Sequence, residues 1–518
     1  MKSWAARSFL RWLLVLAAFA IAGCSSLPHV ERMPSQALPA MAESPIAKVA
    51  ADIPAGRSGF WPMPVSAFAL DARVAMIRNA VRSIDLQYYL IGDDATGTLV
   101  LQELRAAAMR GVRVRLLVDD LYTDRLDDLL RALQESPNAE VRLFNPFAWG
   151  RGSRAARYAQ LVGSFERLNH RMHNKLFIAD GAVAVVGGRN LADEYFARST
   201  VANFIDMDVL GAGAIVPQLA TLFDAYWNSP AAFTFASLSG GGANPPSPHE
   251  VRSPIEPQPV QATDPFGAPS LSNTLAQHTA RRWVIADALA HADPPDKARP
   301  ESGALVFGET VTAHFVNAVL QARHKAIIVS PYFIPGARGM ERIRELRARG
   351  VEVTLVTNSL ETSDEPLVNI GAMRYRDELL ALHVKIYELS ASGLEHDKQV
   401  RRVLGSSRGR LHAKMAVIDD ETVLVGSMNA DLRSAYANTE IGVGIRSPEL
   451  ARMIQSYFDI EHSPDVHEVR AAPGSLHGIE RYRRDDAGRV VLESGSEGSW
   501  WDRLLLQFQS VFIPEELL

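Results

Sequence analysis

Two histidines, two lysines, two aspartates and two asparagines recur in this 518-residue chain at one spacing. His173 is followed by Lys175, Asp180 and Asn190, and His412 by Lys414, Asp419 and Asn429. Asn stands the same distance behind each His (190 − 173 = 429 − 412 = 17), and the copies lie 412 − 173 = 239 residues apart. Such a set suits phosphodiester chemistry. One imidazole attacks phosphorus and becomes a phosphohistidine. A second, protonated, gives its proton to the leaving oxygen and later takes one from the incoming hydroxyl. Lysine and asparagine side chains hold the non-bridging oxygens as charge develops. Ser427 joins these residues in the second copy as a phosphate-binding or supporting group, where the first carries Gly188. Each His needs a carboxylate to fix its tautomer. Glu440, 440 − 412 = 28 residues on, is the candidate behind His412; Asp206 takes the similar place behind His173, with Asp208 as the alternative.

The elements around these residues repeat as well. Residues 83–90 and 326–333 have strand composition, residues 99–109 and 340–348 are helical in pattern, and Gly111 and Gly350 open a further strand, again 239 residues apart. Strand, helix, glycine, strand is a βαβ signature, so each half reads as an α/β unit. Residues 171–179 and 182–186 read as a hairpin about Asp180-Gly181, and 410–418 and 422–425 as one about Asp419-Asp420. The two-residue period of a strand then aims His and Lys into one cleft. His170 completes no metal-ligand cluster and reads as a supporting or surface residue, and no metal site is visible. Tyr88, Tyr89 and Tyr332 stand at strand ends, where cleft lining and core packing are both open.

A net charge of −5 and a pI near 6.3 give no overall pull toward nucleic acid. The sole cysteine, Cys24, follows a basic N-terminus, a short apolar run and Ile21-Ala22-Gly23, the pattern of a lipoprotein signal whose cysteine receives lipid. The chain divides into a signal peptide (1–23), a tether (24–58), a first domain (59–236), an exposed Gly/Pro/Ser-rich linker (237–272) and a second domain (273–518). The last ends in an amphipathic segment, for which core packing and lipid contact are both open.

The doubled motif resembles the HKD motif of the phospholipase D superfamily. Residues 167–180, 186–196, 204–209 and 226–229 are similar to the C-type bacterial cardiolipin synthases, and the resemblance runs from about Phe60 to the C-terminus. It implies an α/β fold of two fused phospholipase D-like α/β/α sandwich domains with one active site at their interface. It implies transfer of a phosphatidyl group, without metal or organic cofactor, between phospholipids such as phosphatidylglycerol and phosphatidylethanolamine at a membrane. His173 would be the nucleophile and His412 the general acid, or the reverse. Lys175, Lys414, Asn190 and Asn429 would bind phosphate, while Asp180 and Asp419 would support the hairpins more than react. The expected product is cardiolipin. Hydrolysis to phosphatidic acid, a nuclease or other phosphodiesterase, and a non-catalytic lipid-binding lipoprotein are the alternatives. The lipid anchor implies the periplasmic side of a bacterial envelope, at the outer or the inner membrane.

Overall fold

In the computed structural model the residues described are 32–238, 263–299, 305–391, 407–474 and 478–492, apart from Gly152, Ala280, Asp486 and Ala487, with a few isolated positions besides. Cys24, the signal, the middle of the linker and the C-terminal amphipathic segment lie outside them.

Each half builds a mixed sheet around three parallel strands. In the first half these are Ser83–Tyr88, Arg113–Asp119 and Ala139–Phe144, connected through helices Ala95–Met109 and Asp127–Gln134. Antiparallel to Ser83–Tyr88 runs Leu176–Ala179, followed outward by Val183–Gly187, Asp208–Gly213 and Ser58–Met63. The second half repeats the order. Lys325–Val329, Glu352–Asn358 and Lys385–Leu389 are parallel, and Met415–Ile418, Thr422–Gly426, Ile441–Arg446 and Val284–Ala292 extend the sheet outward. The 239-residue register is kept by three strand pairs: 352 − 113, 415 − 176 and 422 − 183 are each 239. Strands Ser58–Met63 and Val284–Ala292 pair antiparallel and join the two sheets into one of eighteen strands.

The central strands are apolar on both faces, as strands covered by structure on two sides must be. Phe177, Ala179, Val183 and Val185 pack with helices Ser66–Asn79 and Ala95–Met109. Leu176, Ile178, Ala184 and Val186 face the other way, into a core shared with Val417, Val425 and Ile445 of the second half and with helices Ile215–Trp227 and Pro448–Phe458. The halves therefore meet through a hydrophobic layer, the kind of contact that fixes orientation.

Three expectations are corrected. The tether is not free over its described part. Helix Pro45–Val49 buries Ile46 and Val49, and the Ala37 N–H donates to Asp224 at 2.8 Å. The end of the linker is also packed: Asp264 accepts from Trp61 Nε1 at 2.6 Å, and Ser272 bonds Asp71. Polar composition suggested exposure, but each segment has buried partners. Finally, neither motif His lies in a strand, because the strands begin at Leu176 and Met415. The backbone ahead of them is drawn to the other half. His173 N–H donates to Thr439 O at 2.9 Å and His412 N–H to Ile205 O at 2.8 Å.

Candidate active site

The parallel strands end on the same side in each half, and the motif histidines sit beyond those ends, where open α/β sheets place ligands. Asp119, closing one strand, holds the approach to His173. It pairs with the buried Arg171 (Nε to Oδ1 2.9 Å) and accepts the Met172 N–H at 2.9 Å. In the second half Asn358 does the corresponding work, clamping both the N–H (2.8 Å) and the carbonyl (2.9 Å) of Leu411. Both positions fall in the repeat register, 358 − 119 = 239, a signal present in the sequence and overlooked there.

The carboxylates are crossed relative to the expectation. His173 Nδ1 lies 3.0 Å from Glu440 Oε2, and His412 Nδ1 lies 2.6 Å from Asp206 Oδ2. Each imidazole is therefore oriented by the opposite half. The reason is the backbone pairing: Thr439 and Ile205, which hold the two motif segments, immediately precede the two carboxylates. Asp208 is not the alternative; it pairs with Arg73 and Arg189 in the core. Glu440 also accepts from the hydroxyls of Ser427 and Ser434. Gly188, opposite Ser427 in the repeat, leaves room for the shorter aspartate, since a Cβ there would stand 2.2 Å from Asp206 Oδ1.

Lys175 and Lys414 each donate to the carbonyl of their own motif His, at 2.7 and 2.6 Å. Asn190 donates to the Tyr195 hydroxyl at 2.8 Å, and the buried Oδ1 atoms of Asn190 and Asn429 have no hydrogen-bond partner among the described residues. Asp180 and Asp419 stand at the far ends of the hairpins, both at φ 51°. Each carboxylate gathers three backbone N–H groups: those of residues 81–83 for Asp180 and of residues 323–325 for Asp419. They organise the neighbouring strand and touch neither imidazole. Of the tyrosines, Tyr88 is core and bonds Arg73, Tyr89 meets the His173 ring edge-on at 4.9 Å, and Tyr332 donates to Asp364. His170 is half-buried, with Nδ1 3.1 Å from Lys297 O. Tyr195, whose ring lies 5.1 Å from that of His412, carried no signal in the sequence.

Electrostatics sets the resting state. Both imidazoles are enclosed, at 8% and 7% exposure. Burial pushes His173 down to about 4, although Glu440 pulls upward. Burial and Lys414 together push His412 well below its ordinary value. Both are neutral at pH 7. Burial opposes the Glu440 charge, yet His173, Lys175 and Ser427 hold its carboxyl below the usual range. Burial raises Asp206 against the pull of Lys414 and Arg189, and lowers Lys414 to about 8. A neutral imidazole bonded through Nδ1–H to a carboxylate leaves its Nε2 lone pair free.

Comparison with known proteins fits this geometry. The family model described as "Cardiolipin synthase, PLD-like domain" matches residues 74–227 and 315–461, one segment per motif. Cardiolipin synthase C of Escherichia coli (strain K12) is 34% identical over 476 residues, covering 89% of this chain and 97% of the relative. A cardiolipin synthase of Staphylococcus aureus (strain Mu50) is 25% identical over 78% of this chain and 68% of its own. Among solved structures, phosphatidylserine synthase of Haemophilus influenzae aligns with a TM-score of 0.53 at 13% identity, over 83% of this chain and 88% of that one, which shows a shared fold. With both motif-bearing segments matched and a relative aligned along almost its whole length, the chain belongs to the phospholipase D-like family of the cardiolipin synthases.

Proposed function

We propose that the protein is a phosphatidyltransferase that makes cardiolipin from two phospholipids through a phosphohistidine. The observation that carries this reading is the pair of buried, neutral imidazoles, each backed by a carboxylate and flanked by lysines, in a chain whose relatives are named cardiolipin synthases. His173 Nε2 attacks the phosphorus of phosphatidylglycerol or phosphatidylethanolamine, and the P–O bond to the headgroup breaks. His412, protonated once the anionic phosphate lies beside it, gives its proton to the departing oxygen. It then removes a proton from the free hydroxyl of a second phosphatidylglycerol. That oxygen displaces His173 and forms cardiolipin. Glycerol or ethanolamine is the other product. The assignment of His173 as nucleophile is supported by its ionised partner Glu440, which keeps the proton on Nδ1. Lys175, Lys414, Asn190 and Asn429 hold the phosphate oxygens, Asn190 by giving up its bond to Tyr195.

Burial of both imidazoles favours a lipid hydroxyl over water as acceptor, and so transfer over hydrolysis to phosphatidic acid. A lipid on Cys24 would hold the enzyme on the periplasmic side of the bacterial envelope, a reading supported by the N-terminal sequence. Fatty-acid labelling that is lost in Cys24→Ala tests it.

The function is tested by mass spectrometry of lipids after the detergent-solubilised protein meets labelled phosphatidylglycerol and phosphatidylethanolamine. Labelled cardiolipin, absent with His173→Ala, is the expected result. Phosphatidic acid as the dominant product would make the protein a phospholipase.

A further inference from the structure

We infer that Lys297, with Asp293, positions Glu440 and through it His173, so that this buried ion pair controls formation of the phosphohistidine. The inference deepens the proposed function and rests on its assignment of His173 as nucleophile. Neither residue belongs to the repeated motif. Both follow strand Val284–Ala292, the strand that joins the two sheets.

The contacts form a closed circuit around Glu440. The Asp293 N–H donates to Glu440 O at 2.9 Å, and the Glu440 N–H donates to Asp293 Oδ2 at 2.9 Å. Lys297 Nζ donates to Asp293 Oδ2 and to Ser434 O, each at 2.7 Å. The Ser434 hydroxyl donates to Glu440 Oε1 at 2.8 Å, and the Glu440 carboxylate meets His173 Nδ1. One ammonium thus fixes both the backbone of Glu440 and the serine that aims its carboxylate. The Lys297 carbonyl also lies against His170, three residues before His173. The side chains of Lys297 and Asp293 are 0% exposed. A buried pair is costly and is often replaceable by apolar residues without loss of stability. Its use here is geometric, because an imidazole nucleophile must meet phosphorus within a few tenths of an ångström.

A purely structural pair and a positioning pair differ in one measurable respect. Lys297→Met leaves Asp293 buried without its cation and lowers thermal stability under either reading. The double variant Asp293→Asn/Lys297→Met removes both charges, so stability recovers toward that of the wild type. If the pair positions Glu440, catalysis does not recover with it. The experiment follows acid-labile label on histidine in single turnovers of the full-length protein with ³²P-phosphatidylglycerol, beside thermal melting. The double variant is expected to form phosphohistidine about 10²-fold more slowly with KM little changed, the scale of a misplacement near 1 Å. Ser434→Ala deletes one hydroxyl and no charge, and is expected to slow labelling about tenfold, the loss of one charge-assisted hydrogen bond. Wild-type labelling rates in a folded double variant and in Ser434→Ala would overturn the inference alone. Absence of label on the wild type would instead overturn the phosphohistidine reading and this inference with it.

Discussion

His173 and His412 have lost their solvent but not their hydrogen bonds, and the loss decides their charge. Burial holds His173 at about 4, against an ordinary value of 6.5, even with Glu440 alongside. In the unfolded chain His173 takes up a proton as pH falls through 6.5; in the folded chain it does so only near 4. Between those values the unfolded state binds more protons, so stability falls as pH falls. At pH 4 and below the loss attributable to His173 reaches about 3 kcal/mol. Melting curves between pH 7 and 4 should show this slope, and it should flatten in His173→Asn; an unchanged slope would deny the buried neutral state. Activity responds in the opposite direction. His412 must carry a proton to act as the acid, yet it is neutral in the free enzyme, so kcat/KM should rise as pH is lowered from 8 toward 6. Above about pH 8 Lys414 loses its charge and KM for an anionic lipid should climb.

The hairpins carry the catalytic groups at one end and their support at the other. Asp180 is fully enclosed and satisfies three backbone N–H groups, whereas Asp419 does the same at a half-buried turn. Water can replace the second carboxylate more easily than the first. Asp180→Ala should therefore cost about 3 kcal/mol and Asp419→Ala about 1, since an unsatisfied buried donor costs about 1–3 kcal/mol and an exposed one far less. Urea titrations of the two variants check the order; equal losses would contradict it. Much of this level was legible in the sequence. The 239-residue register located the βαβ units, both hairpins and the six motif residues, because strand periodicity and turn chemistry are local. The pairing of carboxylate with histidine was not legible. Glu440 follows His412 in the chain and Asp206 follows His173, so proximity in sequence suggested the wrong partners. Partner choice depends on how two sheets face one another, and no local pattern encodes that. The Lys297–Asp293 pair was silent for the same reason, as were the packed ends of tether and linker.

At the scale of the whole molecule, crossing makes the site indivisible. The first half supplies His173 and the carboxylate for His412; the second supplies His412 and the carboxylate for His173. Neither half contains one complete His–carboxylate pair. The halves are held by the joined strands Ser58–Met63 and Val284–Ala292, by the parallel pairing of Ala202–Ile205 with Arg408–Leu411, and by the shared apolar core. All of these contacts lie outside residues 240–258, where the chain passes from one half to the other through Gly/Pro/Ser-rich sequence. With the halves held by these contacts, the entropic gain from joining them in one chain grows only slowly with loop length. A protease site placed at residues 245–250 should therefore give a nicked protein that elutes as one species and keeps its activity. Unfolding it and separating the two fragments should abolish activity in each, and remixing them during refolding should restore it. The decisive arm uses a fragment bearing Asp206→Asn. If the dyads are crossed, a refolded complex of that first-half fragment with an intact second half, given a donor whose leaving group needs no protonation, forms phosphohistidine on His173 at the normal rate but passes its phosphatidyl group to the acceptor hydroxyl slowly. The defect then appears on His412, which the unmodified fragment carries. A defect confined to labelling of His173 would mean that each half orients its own histidine in solution.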